Sequence, residues 1–162
     1  MNEHYPYLPE GRTIKYVPES NVFMDQAKQV RNTQSTDEGH PTGAVVVLNE
    51  KIIGRGANQS ALKNKKLIAL HKKGWCVRRL LKIPSGQKYW MCPGCSKNKH
   101  HAEARAAKDA VAQQKKIGQS AQGTDLYLYG HWWCCKPCWD SMIAAGIRDV
   151  YLVDGATGQF KR

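Results

Sequence analysis

The fold class is clearest in residues 126–153, which read LYLYGHWWCCKPCWDSMIAAGIRDVYLV. Two apolar runs in this stretch, Leu126–Tyr129 and Val150–Val153, are typical of buried strands. Between them, Pro137 to Ala145 predicts a helix, because proline is tolerated in a first helical turn and Gly146 supplies a stop. The alternation of strand, helix and strand indicates an α/β layer fold.

The chain upstream supplies further elements of such a fold. Apolar periodicity and alanine content predict helices over 21–31 and 101–112, and β-branched runs predict strands over 43–48 and 52–54. Residues 1–20 contain three prolines and are expected to form an arm on the domain surface. Residues 154–162 are expected to be turn-like, and residues 59–100, hereafter the insert, show no clear period.

Length and composition limit the class of protein. The 162 residues suffice for a single domain, 1–162, and the mean hydropathy is −0.59. No apolar run approaches the ~18 residues of a membrane helix, and residues 1–5 do not begin a signal peptide. We therefore expect a cytoplasmic protein rather than a membrane, secreted or disordered one.

The positive charge is concentrated in one segment. The net charge is +12, and between Glu50 and Glu103 the chain has thirteen lysines and arginines and no acidic residue. Such a surface attracts phosphate, whether on a nucleotide, a nucleic acid or a lipid headgroup. A solvated basic face without a ligand is the alternative, although like charges at this density cost stability.

Two short motifs at predicted helix starts carry metal-binding side chains. They are His101-Ala102-Glu103 and Cys135-Lys136-Pro137-Cys138. Cysteines three residues apart project from one helical face, and a helix N-terminus favours the thiolate that zinc requires. His101, Cys135 and Cys138 thus predict a zinc site with an open fourth position, as catalytic rather than structural sites have.

Glu103 is placed to transfer protons in such a site, since it follows the histidine by two residues. The 31 residues between Glu103 and Cys135 leave room for a helix, a loop and a strand, so both helices would start at one sheet edge. A redox dithiol would also explain Cys135 and Cys138. It would not explain His101 and Glu103 at the matching helix start.

These motifs make the sequence resemble the zinc-dependent nucleoside and nucleotide deaminases, whose signature is H-x-E followed by P-C-x-x-C. The likeness runs from about Val22 to Val153 and includes residues 40–44, 54–58 and 144–150. It implies a three-layer, cytidine-deaminase-like fold with a central mixed sheet of four to five strands. It also implies a homo-oligomer.

The resemblance further implies roles for single residues. His101, Cys135 and Cys138 would bind zinc and Glu103 would shuttle protons. The implied substrate contacts are Asn58 at a sugar hydroxyl, Thr42 and Ala44 along the pocket wall, and the backbone of Ala102 and Cys134 at the base edge. Asn58 as a turn cap is the structural alternative.

The chain departs from the family pattern at three places. Cys134 replaces the proline before the first ligand cysteine, and His131 stands where a threonine is usual. Both changes bear on which base the pocket prefers. The chain also ends soon after the fourth predicted strand, so a sheet edge must be covered by residues 1–20 or by a partner subunit.

The insert carries the remaining cysteines, Cys76, Cys92 and Cys95, and Cys92-Pro93-Gly94-Cys95 has the spacing of a zinc knuckle. His100 or His71 would complete a closed structural site. A metal would supply the folding energy that a short, highly charged segment lacks. Some deoxycytidylate deaminases resemble this, with a second zinc held by an insertion before their H-A-E motif. Cysteines without a metal are the alternative.

Three functions of different classes fit these observations. The first is hydrolytic deamination of a cytosine nucleotide, above all dCMP to dUMP, with the 5′-phosphate bound by Arg55, Arg78 or Arg79. The second is deamination within a polynucleotide, either a tRNA adenosine or a single-stranded cytosine, with Trp90, Trp132 or Trp133 stacking on bases. The third is a non-catalytic nucleic-acid-binding zinc module, which the intact Glu103 argues against.

Overall fold

A computed structural model describes residues 6–84 and 87–161. The strands in this part of the chain are β1 (Ile14–Val17), β2 (Gly43–Leu48), β3 (Lys51–Ala57), β4 (Thr124–Tyr129) and β5 (Ile147–Val153). They form one sheet in the order β1-β5-β4-β2-β3. Both β1 and β4 run parallel to β5, whereas β2 is antiparallel to β3 and β4. The predicted α/β class with a mixed central sheet is confirmed.

The helices found over the same residues are α1 (Val22–Gln34), α2 (Lys65–Lys72), α3 (Val77–Leu80), α4 (Ala102–Lys116), α5 (Lys136–Ala144) and α6 (Ala156–Phe160). Asn21 caps α1, because its side-chain oxygen accepts hydrogen bonds from the backbone amides of Phe23 and Met24. None of these helices is long and apolar enough to cross a membrane.

Three glycines show how helices cover the two faces of the sheet. A Cβ on Gly43 would meet the backbone of α1, whereas a Cβ on Gly54 or Gly56 would meet α4. Gly43 pairs with Ala57 across the β2–β3 ladder, so it lies on the face opposite to Gly54 and Gly56. The helices α1 and α4 therefore lie on opposite faces, as expected for three layers.

The contact of α4 with β3 is a seam of small residues. Ala106 and Ala110 of α4 are fully buried, and they face Gly54 and Gly56. A Cβ on Gly56 would lie 2.3 Å from the Ala106 amide nitrogen, so only glycine permits this approach. The alanine content of the helix thus serves close packing as well as helix propensity.

The predictions for the two ends of the chain were partly wrong. Residues 14–17 extend the sheet as β1 rather than lying on its surface, and they cover the edge of β5; the first five residues of the predicted arm lie outside the described residues. Arg12 supports this arrangement by donating to the carbonyl oxygens of Ile147 and Arg148 at 2.9 and 2.8 Å. The predicted turn-like tail contains α6 instead.

Candidate active site

The sheet brings the two predicted zinc motifs together at one edge. His101 precedes α4, and Cys135 and Cys138 stand at the start of α5, which follows β4. His101 Nδ1 lies 3.3 Å from Cys138 Sγ and 3.6 Å from Cys135 Sγ, and the two sulfurs are 3.3 Å apart. We call these three residues the catalytic cluster, after the role that the sequence resemblance implies for them.

The donor atoms of the catalytic cluster suit a tetrahedral zinc ion. Zn–S bonds of about 2.3 Å and Zn–N bonds of about 2.0 Å place neighbouring ligand atoms roughly 3.5–3.8 Å apart. The observed separations fall close to this range. A hydrogen bond from Cys138 and the neighbouring His101 lower the pKa of Cys135 to about 6 despite burial, which favours the thiolate that zinc binds.

A backbone carbonyl fixes the tautomer of His101. His101 Nε2 lies 3.0 Å from the carbonyl oxygen of Ser96, which can only accept a hydrogen bond. Nε2 therefore carries the proton, and the lone pair of Nδ1 faces the sulfurs of Cys135 and Cys138. Burial acts to lower the pKa of His101, but its bond with Cys135 and the charge of Glu103 raise that pKa on balance.

Glu103 lies beside the catalytic cluster without belonging to its donor set. Its side chain is buried in the first turn of α4 and lines the same pocket as His101 and Cys135. Burial and a hydrogen bond to the Glu103 carboxylate raise the pKa of the Cys134 thiol well above its ordinary value. The hydrogen bond from Cys134 thus orients the Glu103 carboxylate. The carboxylate faces the pocket, where it can accept and donate protons.

The pocket over the catalytic cluster is built from two sides. The sheet side supplies residues from the β2 and β4 ends, and the other side comes from the insert; Phe160 of α6 closes one end. The insert residues that line it are His71, Cys76, Arg78, Arg79, Tyr89, Cys95 and Ser96. Seven of the nineteen lining residues therefore come from a segment that adds no strand to the sheet.

The substrate contacts implied by the sequence are only partly at the pocket surface. Asn58, Thr42 and Ala102 line it, whereas Ala44 and Cys134 are fully buried and are not among its lining residues. The Asn58 side chain accepts hydrogen bonds from Ser35 Oγ and the Thr42 amide and donates to the His40 carbonyl. In this conformation Asn58 secures the loop that precedes β2.

The insert brings a second donor set together, consisting of His71, Cys76, Cys92 and Cys95. We call it the insert cluster. Cys95 Sγ lies 3.6 Å from both Cys76 Sγ and His71 Nε2, so three thiols and one imidazole converge as in a closed structural zinc site. All six cysteines of the chain are free thiols.

The histidine of the insert cluster is His71 rather than His100. His100 ends a short 3₁₀ turn before α4, and its carbonyl accepts from the Gln59 amide, so its ring lines the surface near Arg105 instead. His71 comes close because Gly94 has no side chain: a Cβ there would lie 2.2 Å from the His71 ring. The assignment of His100 to this cluster is corrected accordingly.

The surroundings of the insert cluster shift the pKa values of two of its thiols in opposite directions. Burial opposes ionisation of Cys76, but backbone amides of Arg79 and Arg78 donate to its sulfur and lower its pKa on balance. Burial raises the pKa of Cys95, so a cation that binds there must displace a proton from that thiol.

The three arginines expected to contact phosphate have different surroundings. Arg55 is exposed on β3 and does not line the pocket. Arg78 is 9% exposed and donates to the carbonyls of Gln87 and Pro84. Arg79 is exposed, lines the pocket, and places Nη2 3.3 Å from His40 Nε2. Arg79 is therefore the arginine available to a ligand.

Several other residues line the pocket beside the predicted ones. Tyr89 packs edge-on against the His101 ring with centroids 4.9 Å apart, and Asp37 lies behind Ser96. His131 lines the pocket with Trp132 and Trp133, and burial lowers the pKa of His131 to about 4, so it is neutral at pH 7. The sequence had already marked His131, Trp132 and Trp133 as candidates, whereas no local pattern pointed to Tyr89 or Asp37.

Comparisons with known proteins agree with this geometry. The family model for the cytidine and deoxycytidylate deaminase zinc-binding region matches residues 18–154. No curated protein sequence matches the chain significantly.

Several solved structures share distant similarity with the chain. dCMP deaminase from the cyanophage S-TIM5, in its apo form, is 22% identical over 86% of each chain with a TM-score of 0.47. Guanine deaminase from Bacillus subtilis is 19% identical over 85% of this chain and 68% of that chain, with a TM-score of 0.45. A structure from a study of tRNA:A34 deaminases is 24% identical over 82% and 75%, with a TM-score of 0.43. These likenesses are too distant to assign a substrate.

Proposed function

The chain belongs to the cytidine and deoxycytidylate deaminase family, and we propose that it hydrolytically deaminates dCMP to dUMP with release of ammonia. The observation that carries the proposal is the joint placement of the catalytic cluster, Glu103 and Arg79 around one pocket. The first two supply the chemistry of a hydrolytic deaminase, and the arginine supplies an anchor for a phosphate.

His101 Nδ1 and the thiolates of Cys135 and Cys138 would hold the catalytic zinc. Zinc held there provides a nucleophile at neutral pH by lowering the pKa of a water molecule toward ~7. The Glu103 carboxylate would carry a proton from the attacking water to N3 of the base. It would pass the second proton to the amino group, which would leave C4 as ammonia.

Arg79 is proposed to bind the 5′-phosphate. Guanidinium groups bind phosphate through two parallel hydrogen bonds, and each charge-assisted bond contributes about 1.5–3 kcal/mol. Two such bonds correspond to a preference of about 100-fold or more for the monophosphate over the nucleoside. The surplus of bases in the insert adds a field that attracts the anion.

We further propose that each chain binds a second, structural zinc ion in the insert cluster. Its three cysteines and His71 supply a closed set of four donors, whereas the catalytic cluster supplies three. Residues 1–162 would form one domain of a cytoplasmic homo-oligomer, since a reducing compartment would keep the cysteines available as metal ligands.

Deamination within a polynucleotide is the second candidate, and two exposed tryptophans favour it. Trp75 and Trp90 are each 70% exposed, and both lie in the insert among its lysines and arginines. Exposed aromatic rings between basic side chains form a surface on which single-stranded bases can stack.

The decisive experiment measures ammonia release from cytidine, deoxycytidine, their monophosphates, guanine, single-stranded DNA and a tRNA anticodon stem. We expect kcat/KM for dCMP to exceed that for deoxycytidine by about 100-fold. Arg79→Ala should remove most of that preference, whereas Arg55→Ala, the matched arginine outside the pocket, should preserve it.

Other outcomes would overturn the dCMP proposal. Equal kcat/KM values for deoxycytidine and dCMP would show that Arg79 does not bind the 5′-phosphate. Strong activity on a strand alone, with affinity falling steeply as salt rises, would establish the polynucleotide candidate instead.

A further inference from the structure

The two metal-binding clusters are connected through two neighbouring residues, Cys95 and Ser96. Cys95 supplies a sulfur to the insert cluster, and the carbonyl of the next residue, Ser96, accepts the hydrogen bond from His101 of the catalytic cluster. The direction of that carbonyl depends on where Cys95 is held. A metal bound by the insert cluster would thus influence the orientation of His101 in the catalytic cluster.

Ser96 is also held from its other side. It is 3% exposed, and its hydroxyl donates to Asp37 Oδ2 at 2.9 Å. Asp37 Oδ1 in turn accepts from the amides of Gly39 and His40. Asp37 thus fixes the side chain of Ser96, and ligation of the neighbouring Cys95 would add a restraint on its backbone.

A second contact path leads from the insert cluster to the same imidazole. Arg78 Nη1 lies 3.6 Å from Cys95 Sγ, and the Arg78 guanidinium stacks 4.0 Å from the Tyr89 ring centroid. Tyr89 then packs edge-on against His101. The insert therefore restrains both the tautomer and the plane of the His101 ring.

We propose that the insert cluster is a positioning element for the catalytic metal: a divalent metal ion bound by it raises the zinc affinity of the catalytic cluster through the Ser96 carbonyl. Groups that orient a metal-bound histidine typically contribute 10- to 100-fold in metal affinity. By linkage, zinc in the catalytic cluster raises the affinity of the insert cluster by the same factor. The inference rests on the zinc sites of the proposed function and not on its substrate.

The test uses the full chain and Zn²⁺ itself, with affinities from competition against a chromophoric chelator. Cys92→Ser removes a ligand of the insert cluster that, unlike Cys95, is not adjacent to Ser96 in the chain. We expect this variant to lose one zinc ion and to bind the other 10- to 100-fold more weakly than wild type does. Co²⁺ absorption identifies which site is filled, because the two sites differ in thiolate number.

Two further variants separate positioning from general damage. Ser96→Ala retains all four insert ligands but loses the bond to Asp37, so it should keep two zinc ions while binding the catalytic one more weakly. Lys97→Ala, at the exposed neighbouring position, is the control and should match wild type. If Cys92→Ser fails to fold, Ser96→Ala and the reciprocal variant Cys138→Ser, which should weaken the insert site, still decide the matter.

The proposal is overturned if Cys92→Ser loses the insert metal while the catalytic affinity stays at the wild-type value. It is equally overturned if wild type binds a single zinc ion. Neither result would affect the deaminase proposal, which the substrate panel tests. Conversely, coupled zinc affinities in a protein that is inactive on every substrate would refute the function and leave the coupling intact.

Discussion

Replacing Glu103 by glutamine should abolish most turnover while leaving the protein intact. Glu103 is 5% exposed and is not part of the catalytic donor set, so the amide should alter neither the zinc content nor the fold. A glutamine side-chain oxygen can still accept the hydrogen bond from Cys134. The substitution therefore removes proton transfer alone.

The structure also sets the size of the expected effect. Asp37 is the other carboxylate lining the pocket, and both of its oxygens already accept hydrogen bonds from Gly39, His40 and Ser96. No second pocket carboxylate is thus available as a substitute among the described residues. The full effect of general acid–base catalysis, about 100- to 10,000-fold in kcat, should be lost, equivalent to roughly 2.7–5.4 kcal/mol.

The assay is ammonia release under saturating dCMP, with zinc content by elemental analysis on the same samples. Glu10→Gln, at an exposed acid, is the matched control and should behave as wild type. Turnover of Glu103→Gln within tenfold of wild type, with zinc retained, would show that another group transfers the proton. Loss of zinc from that variant would instead make Glu103 a ligand.

Three further outcomes are expected. Gly56→Ala should cost about 1–3 kcal/mol in the free energy of unfolding by denaturant, since its Cβ would overlap Ala106, whereas Gly158→Ala, where nothing lies within 4 Å, should not. Partial burial raises the pKa of Asp149, but hydrogen bonds and charge interactions with Lys15 and Arg148 lower that pKa on balance. Asp149→Asn should therefore reduce the free energy of unfolding at pH 7 by up to ~1 kcal/mol. That difference should vanish as the pH falls through the lowered folded-state pKa, below about 3.9, in urea titrations. Chelation of zinc should lower the thermal midpoint, as calorimetry would show, because bound metal stabilises the folded state.

The catalytic cluster and Glu103 could be predicted because they come from two motifs that are each short in sequence. His101 and Glu103 are two residues apart, Cys135 and Cys138 are three apart, and both pairs mark helix starts. Strand–helix alternation then predicts that the helix starts share one sheet edge. The fold class follows from the same long, strongly patterned elements.

The remainder depends on contacts that no local pattern encodes. The choice of His71 over His100 depends on how the insert folds back, and Gly94 allows it only in three dimensions. Arg78 and Arg79 are adjacent in sequence, yet one is buried and the other is exposed. The strand β1 has four residues, too few for a recognisable alternation.

The seam between α4 and β3 has a mechanical consequence for the active site. Because a Cβ on Gly54 or Gly56 would overlap Ala106 or Ala110, α4 cannot move closer to β3 without steric overlap. His101 and Glu103 lie at the N-terminal end of α4. A methyl group added at Gly54 would push the helix away from β3 and displace both residues. Displacements near 1 Å can cost about 100-fold in rate. Catalytic activity should therefore be more sensitive to a shift of α4 than the free energy of unfolding is.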